Sequence, residues 1–469
     1  MKINLLKRTL IFIKRKLFAT YEYNTVLNDI LFDLKGAINS IDSIKESLFI
    51  LKGSISESNI RIENLTDYSS VLESKLNAIS RSEKRNKIVA VFLVNNINAW
   101  HSISKVILEL NNQDDFNVVV ASINKKFPGQ EKYEGESDVH SFLESKGVSH
   151  IRLGMPDSYQ ALDILLAINP TVIFRQSQWD VDYPPAFSYK HLNFCKLALI
   201  PYEISNLIKN VEYSGGIMDS ATDSLFHRSC WAAYCSSEYM KNNAKVNGVM
   251  QGTQFIVTGH PKVDYLLNVA PKWPFNGKGR KRILWSPHHS IGKGWSDFGV
   301  FPDYWEYMIE LSQSWGEVDF VFCPHPALVT NLKSGEFDVN GFNYESFIST
   351  WASNGNCFTY FGADYAEICK ASDIILTDGI SMLLECQFLE KDIIFIEREG
   401  HVDFNRIGEL LKSGFFTVSN KNELTSKLEE IMSGLSPSLN LEQRKNINEL
   451  FPTRNAVKNI INHLRSNLV

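Results

Sequence analysis

Residues 372–388 read SDIILTDGISMLLECQF. The run from Ile374 to Leu376 has the apolar, largely β-branched composition of a buried strand. Thr-Asp-Gly breaks it, and a second apolar segment follows with a helix beginning near Ser381. Strand, glycine turn and helix in that order are the unit of a parallel α/β sheet. The start of such a helix carries free N–H groups and the positive end of its dipole. With the turn at Gly379 and the hydroxyl of Ser381, it suits an anion such as a phosphate. Glu385 lies one helical turn further on the same face, placed to accept hydrogen bonds from a vicinal diol. The plainer alternative makes Ser381 a helix cap and Glu385 a solvated acid.

The surrounding sequence repeats the pattern. RILWSPHH (282–289), DFVFCPHP (319–326), CFTYFG (357–362) and DIIFIE (392–397) read as further strands of the same half. Upstream of the Pro/Gly/Lys-rich linker PKWPFNGKGRK (271–281), a first half offers KIVAVFLVNN (87–96), NVVVASIN (117–124), TVIFRQ (171–176), KLALIPYE (196–203), AAYCSS (232–237) and FIVTG (255–259). Helical patterns at 100–110 and 158–167 separate them. The expectation is two doubly wound Rossmann-like domains, 87–270 and 280–469, the second including the final helix. Ligands in such sheets bind beyond the carboxyl ends of the strands, in a cleft between the halves.

Histidines gather at those ends. His288-His289-Ser290 closes one strand of the second half and His325-Pro326 another, so up to three imidazoles are expected on one rim. A dinuclear metal site is a competing use, but no spaced carboxylate cluster accompanies them. The seven cysteines include no C-x-x-C and mostly fall in apolar runs, so free buried thiols are expected rather than disulfides or a zinc site.

The first 82 residues are of another kind. Residues 1–23 carry six cations against one acid, in a chain whose formal net charge is -5. Ile3, Leu6, Leu10, Ile13 and Leu17 recur at helical spacing with the cations largely on another face, which predicts a basic amphipathic helix suited to an anionic membrane surface. Packing of that helix on its own protein is the alternative. Over 24–82 a seven-residue repeat follows, with Leu27, Leu34, Ile41, Leu48, Ile55 and Ile62 in one series and Ile30, Ile44, Leu51, Leu65 and Leu72 in the other. Such a repeat predicts a coiled coil and a homo-oligomer, unless the helix folds back on the globular part. No window is long and apolar enough to span a bilayer and no cleavable leader is recognisable, which points to the cytoplasm, at the inner face of the membrane.

Four segments, in order, resemble the CDP-glycerol glycerophosphotransferases, which build teichoic-acid-like polymers on a GT-B fold. YCSSEYMKNNAKVNG with VTGHPKVDYL is similar to that family's serine-containing strand end and its Gly-x-Pro-[Arg/Lys]-x-Asp segment. ILWSPHHS resembles its strand ending in Pro-Thr, FCPHPAL its His-Pro motif, and ASDIILTDGISMLLECQFLEKDIIFIE its Ser-Asp-x-x-Ile-Thr-Asp-Tyr-Ser-Ser segment. The resemblance implies that His325 contacts the donor's pyrophosphate, that Ser381 binds a donor phosphate, and that Glu385 takes the hydroxyls of a ribose or glycerol. His288 and His289 stand where the family has a threonine-containing strand end. It further implies CDP-glycerol or a related nucleotide as donor, a lipid-linked glycan as acceptor, and neither a bound cofactor nor a nucleic-acid partner.

One departure changes the expectation. The family's Trp-His-Gly-Thr-Pro, whose histidine is the candidate base, is replaced by LALIPYEIS. Glu203 can serve if burial raises its pKa, and His101 at the first strand-to-helix junction is another candidate. Arg175 and Asp182, in FRQSQWDVDYPP, are expected to shape the acceptor side. The plainer reading leaves Pro201 and Tyr202 as loop floor and Glu203 as a surface acid. The favoured activity is transfer of a polyol phosphate to a cell-surface polymer. A nucleotide-sugar glycosyltransferase and a non-catalytic scaffold are the alternatives.

Overall fold

The computed structural model describes residues 2–80, 87–126, 130, 132–209, 219, 221–276, 281–292, 296–334 and 341–468. The chain divides into two units, 1–72 and 73–469. The described residues of the first are helical: one helix runs from Lys2 to Ser80 without a break at the expected boundary near residue 23, and Gly36 and Gly53 lie inside it. At about 1.5 Å per residue its 79 residues span roughly 120 Å. The repeat residues Ile44, Leu48, Leu51, Ile55, Ile62, Leu65 and Leu72 are all exposed. Among the described residues no helix is long and apolar enough to cross a membrane.

The second unit contains two parallel sheets. The first comprises β1 (Ile88–Val94), β2 (Phe116–Ser122), β3 (Ile151–Arg152), β4 (Val172–Arg175), β5 (Lys196–Leu199), β6 (Ala232–Cys235) and β7 (Phe255–Val257), in the order β3-β2-β1-β4-β5-β6-β7. The second comprises β8 (Arg282–Ser286), β9 (Asp319–Phe322), β10 (Cys357–Thr359), β11 (Ile374–Thr377), β12 (Asp392–Ile396) and β13 (Phe416–Val418), in the order β10-β9-β8-β11-β12-β13. The order in which strands are added reverses at one place in each sheet, between β1 and β4 and between β8 and β11. A crevice opens at such a point, because the connecting helices leave to opposite faces. The register Leu376↔Trp285 and Thr377↔Ser286 sets the ends of β8 and β11 side by side at this crevice.

Burial on both faces explains the near-continuous apolar strands. In β1, Ala90, Phe92 and Val94 enter one core with Trp100 and Ile460, while Val91 and Leu93 enter the opposite one with Leu162 and Leu165. In β8, Ile283 and Trp285 face one core and Leu284 the other. The core holding Leu284 also contains Ile204, Leu207, Val263 and Leu266 from the first half, so the two halves share packed apolar surface.

The final helix corrects the expected partition. Ala456–Leu468 packs on the first sheet rather than the second: Val457, Ile460, Ile461 and Leu464 join the core of β1, and Arg465 pairs with Asp115 at 2.7 Å. The crossing passes close to Gly259, which has φ +77° and where a Cβ would lie 2.9 Å from the Thr453 carbonyl oxygen. Only glycine meets both demands. The edge strands β3 and β13 are additions to the sequence reading, being too short to show a pattern.

Candidate functional site

The end of β11 builds the rim between the halves. The Thr377 hydroxyl donates to the Ser286 carbonyl (2.8 Å) and accepts from the Gly379 N–H (2.9 Å), which locks the turn against β8. The buried Asp378 carboxylate accepts from the backbone N–H groups of His288 and Val300, both at 2.6 Å. Burial pushes its pKa up to about 7, while those two N–H bonds pull the other way. Asp378 therefore acts as a brace that seats His288 beside the turn.

The helix after the turn begins at Ile380, with Gly379 as its N-cap and no side-chain cap. Met382 N–H returns to the Gly379 carbonyl, leaving the N–H groups of Ile380 and Ser381 without a partner among the described residues. Ser381 lies exposed in the first turn, so it is not the cap of this helix. A Cβ on Gly379 would sit 3.7 Å from the His288 ring, which shows how near the imidazoles stand to the helix start.

The three histidines do converge. Ring centroids lie 4.3 Å apart for His288 and His289, 4.3 Å for His289 and His325, and 5.6 Å for His288 and His325. Their hydrogen bonds fix two of the tautomers. His288 Nδ1 accepts from the Ser290 N–H at 3.4 Å, and Ser290 Oγ, which accepts from the N–H groups of Phe298 and Gly299, gives its own proton to the same nitrogen at 2.8 Å. His325 Nδ1 accepts from the Ala327 N–H at 3.2 Å. With Nδ1 as acceptor, each neutral ring must carry its proton on Nε2 and present a donor. Burial lowers the pKa of His288 well below the ordinary range, with His289 and His325 adding repulsion. Burial alone takes His289 down to about 4. His325 is open to water yet walled by the cleft, and that enclosure, with the His289 ring, also disfavours its cation. The rim offers neutral N–H donors, the unpaired start of a helix and a hydroxyl, a set whose chemistry suits anionic oxygens. Among the described residues no group of three or more His, Cys, Asp or Glu side chains is arranged to hold a metal.

Glu385 is buried one turn deeper, with both oxygens engaged. Oε1 receives Lys262 Nζ at 2.5 Å and Oε2 receives the Tyr365 hydroxyl at 2.5 Å. Lys262 belongs to the short helix Pro261–Leu266 of the first half, so this buried pair joins the halves. Glu203 lies beyond the end of β5, half-buried, its carboxylate accepting no hydrogen bond from the described residues. Burial raises its pKa to about 7, Asp219 adds to the rise and Lys262 opposes it. The surface-acid reading of Glu203 is thereby set aside.

Two expected positions are otherwise employed. His101 Nε2 pairs with Asp364 at 3.0 Å, and its ring stacks on Tyr265 with centroids 3.7 Å apart. Lys146 holds the other Asp364 oxygen at 2.9 Å, so His101 is part of a second link between the halves. Arg175 is wholly buried between the rings of Tyr183 (3.7 Å) and Phe226 (4.0 Å), with Asp180 at 2.5 Å. It braces the loop after β4 and does not face an acceptor. Asp182, by contrast, is partly open, with the Ser177 hydroxyl at 3.2 Å, and burial pushes its pKa up to about 6. The sequence reading had no role for Lys262, Tyr365 or Asp378. Lys262 and Asp378 sat inside quoted motifs, but only the contact across the halves reveals what Lys262 does.

No family model and no curated protein matches the chain. Solved structures do. A UDP-GlcNAc 2-epimerase from Neisseria meningitidis bound to UDP-GlcNAc shares 15% identity at a TM-score of 0.55, over 81% of this chain and 100% of that one. The chain has the GT-B architecture. A putative UDP-N-acetylglucosamine 2-epimerase from Listeria monocytogenes gives 12% identity and 0.54, covering 81% and 96%. The wall teichoic acid polymerase TagF gives 13% identity and 0.50, covering 87% and 95%. At these identities the likeness establishes the fold.

Proposed function

We propose that the protein is a transferase acting on a nucleotide-linked donor, a sugar or a polyol phosphate, in the synthesis of a cell-surface polymer. The observation that carries this reading is the rim itself. Two neutral Nε2–H donors, a third imidazole and the uncapped start of the helix Ile380–Phe388 converge where β8 and β11 part. Such a set matches the oxygens of a diphosphate, and Glu385 beneath it matches a ribose diol. Glu203 is the base that the first half presents, poised near neutrality to take a proton from an acceptor hydroxyl. His325 and the helix start offset charge on the departing nucleotide, so the chemistry is electrostatic stabilisation of a leaving phosphate.

A nucleotide sugar is the better supported donor. The similar structures include two that hold UDP-GlcNAc, and the acceptor-side motif expected for CDP-glycerol transfer is replaced. Transfer from CDP-glycerol stays as the second reading on the likeness to TagF. In either case the exposed heptad seam of the helix Lys2–Ser80 would pair with further copies, and its basic first turns would rest on anionic lipid near a lipid-linked acceptor. Calorimetric titration with UDP-GlcNAc, other UDP-sugars, CMP-sugars, CDP-ribitol and CDP-glycerol tests the proposal. Binding of one class, weakened in Ser381→Ala, supports it and selects the donor; binding of none refutes it.

A further inference from the structure

Glu203 lies between two sets of anchors. On its N-terminal side the chain is fastened to the first half: Ile200 N–H donates to the Arg175 carbonyl (3.1 Å), Tyr202 N–H to the Gln176 carbonyl (2.8 Å), and His260 Nε2 to the Pro201 carbonyl (2.8 Å). On its C-terminal side the chain leaves that half. Ile204, Leu207 and Ile208 are buried in the core that holds Leu284, Ile375 and Phe395 of the second half. The segment 403–408 holds this strap in place. Ile208 bridges Phe404 in antiparallel pairing, Lys209 N–H donates to the Asp403 carbonyl (2.8 Å), and Asn405 N–H donates to the Leu207 carbonyl (2.8 Å). The Asn405 side chain works in two directions. Its Oδ1 accepts from the N–H groups of Ile407 and Gly408 as cap of the helix Arg406–Leu411, while its Nδ2 donates to the Asn206 carbonyl at 2.8 Å. Gly408 leaves room for the strap, since a Cβ there would collide with the Leu207 carbonyl oxygen. Phe404 in turn packs on Phe298 (centroids 5.8 Å apart), whose N–H is held by Ser290 Oγ beside His288.

We propose that Asn405 is a positioning residue: by holding the strap 204–209 on the second half, it sets the place of Glu203 relative to the histidine rim. The inference rests on the reading of Glu203 as the base and adds what keeps that base in place. Tyr202 is tied to one half and Ile204 is buried in the other, so about 7 Å of chain separates the anchors. That is too little for Glu203 to drift while both hold. Releasing the second anchor frees the loop to swing outward, and the carboxyl then exchanges its enclosed surroundings for water. Asn405 touches neither donor nor acceptor in this role; it acts through the strap.

The test compares Asn405→Asp and Gly408→Ala with the unaltered full chain. Aspartate caps a helix as well as asparagine does, so Asn405→Asp keeps the cap and sets an oxygen against the Asn206 carbonyl where the donor was. Gly408→Ala favours the helix while its Cβ displaces the Leu207 carbonyl, and it decides the matter if the Asn405→Asp chain does not fold. Asn343→Asp, at the exposed cap of the helix Tyr344–Ser353, is the control. Two quantities are read. One is amide exchange over 204–209 by mass spectrometry. The other is the titration of the Glu203 carboxyl between pH 4 and 9, taken as the infrared carboxyl band lost when each chain also carries Glu203→Gln. Both strap variants should raise the exchange about tenfold. They should also move the Glu203 titration from about 7 down by about one pH unit or more, because water favours the ionised carboxyl. The control should do neither. Exchange that rises while Glu203 still titrates near 7, or a strap that stays protected in Asn405→Asp, overturns the assignment and leaves Glu203 as the proposed base. Titration of Glu203 as an ordinary carboxyl in the unaltered chain overturns the base and the assignment together.

Discussion

Replacing Lys262 by methionine should cost about 3 to 5 kcal/mol of folding stability, whereas the same replacement at Lys209 should leave the unfolding midpoint where it was. Both lysines pair with a carboxylate of the other half, Lys262 with Glu385 at 2.5 Å and Lys209 with Asp403 at 2.8 Å. Length does not separate them; burial does. The Lys262 and Glu385 side chains are 7% and 4% exposed, against 63% and 73% for Lys209 and Asp403. Without Lys262, an acid stays buried with only the Tyr365 hydroxyl beside it, and burying an unpaired charge is what makes such a truncation costly. At Lys209 water and salt already screen the pair. The double variant Lys262→Met/Glu385→Gln removes the orphaned charge and should recover most of the loss. Guanidinium unfolding of the four proteins at pH 7, followed by circular dichroism, gives the comparison. The reasoning fails if the two lysine variants unfold together, or if the double variant is no more stable than Lys262→Met.

Three further outcomes follow from the same geometry. In His325→Ala, loss of one neutral donor worth about 0.5 to 1.5 kcal/mol should weaken nucleotide binding by roughly 2- to 12-fold by titration, with the fold intact. The acceptor kcat/KM should fall tenfold per pH unit as pH drops below about 7, because Glu203 must be ionised to act and its raised pKa lies there; a pH profile that stays flat from 8 to 5 excludes it as the base. Charge on the helical seam, as in Leu48→Asp with Ile62→Asp, should turn an oligomer into a monomer in sedimentation velocity, since both residues lie exposed in the same series of the repeat.

The strands of both halves were readable because burial on two faces leaves an apolar run that only a covered parallel sheet explains. The turn after β11 was readable too, since Asp378-Gly379 must break the strand and a helix must follow it. What sequence could not supply was pairing between distant segments. Lys262 and Glu385 are 123 residues apart, and nothing local in either shows that each satisfies the other. His101 was chosen for its place after β1, which the structure confirms, but its partner Asp364 lies 263 residues away and decides its use. Arg175 looked like a strand-end cation; the rings of Tyr183 and Phe226 that enclose it come from separate segments. The final helix was assigned by chain order, whereas the apolar stripe of Val457, Ile460, Ile461 and Leu464 found its complement on the first sheet.

The neutrality of the histidine rim bears on how a nucleotide would leave. A site lined by lysines or arginines holds a diphosphate through charge and loses affinity as salt rises. Here Asp378 and Ser290 orient His288, the Ala327 N–H orients His325, and burial of His288 and His289, with the enclosing walls around His325, disfavours charge on the rings. Donors of that kind act by direction rather than by net charge, so their attraction grows most where oxygen charge is concentrated, as on a phosphate departing from the transferred group. Once that charge is dispersed by solvent, little cationic attraction remains to retain the product. Lys262 is a buried ammonium beside this site, and Glu385 already neutralises it before any ligand arrives. The strongest charge near the rim is thereby balanced within the protein, and the donors that face the crevice are left neutral.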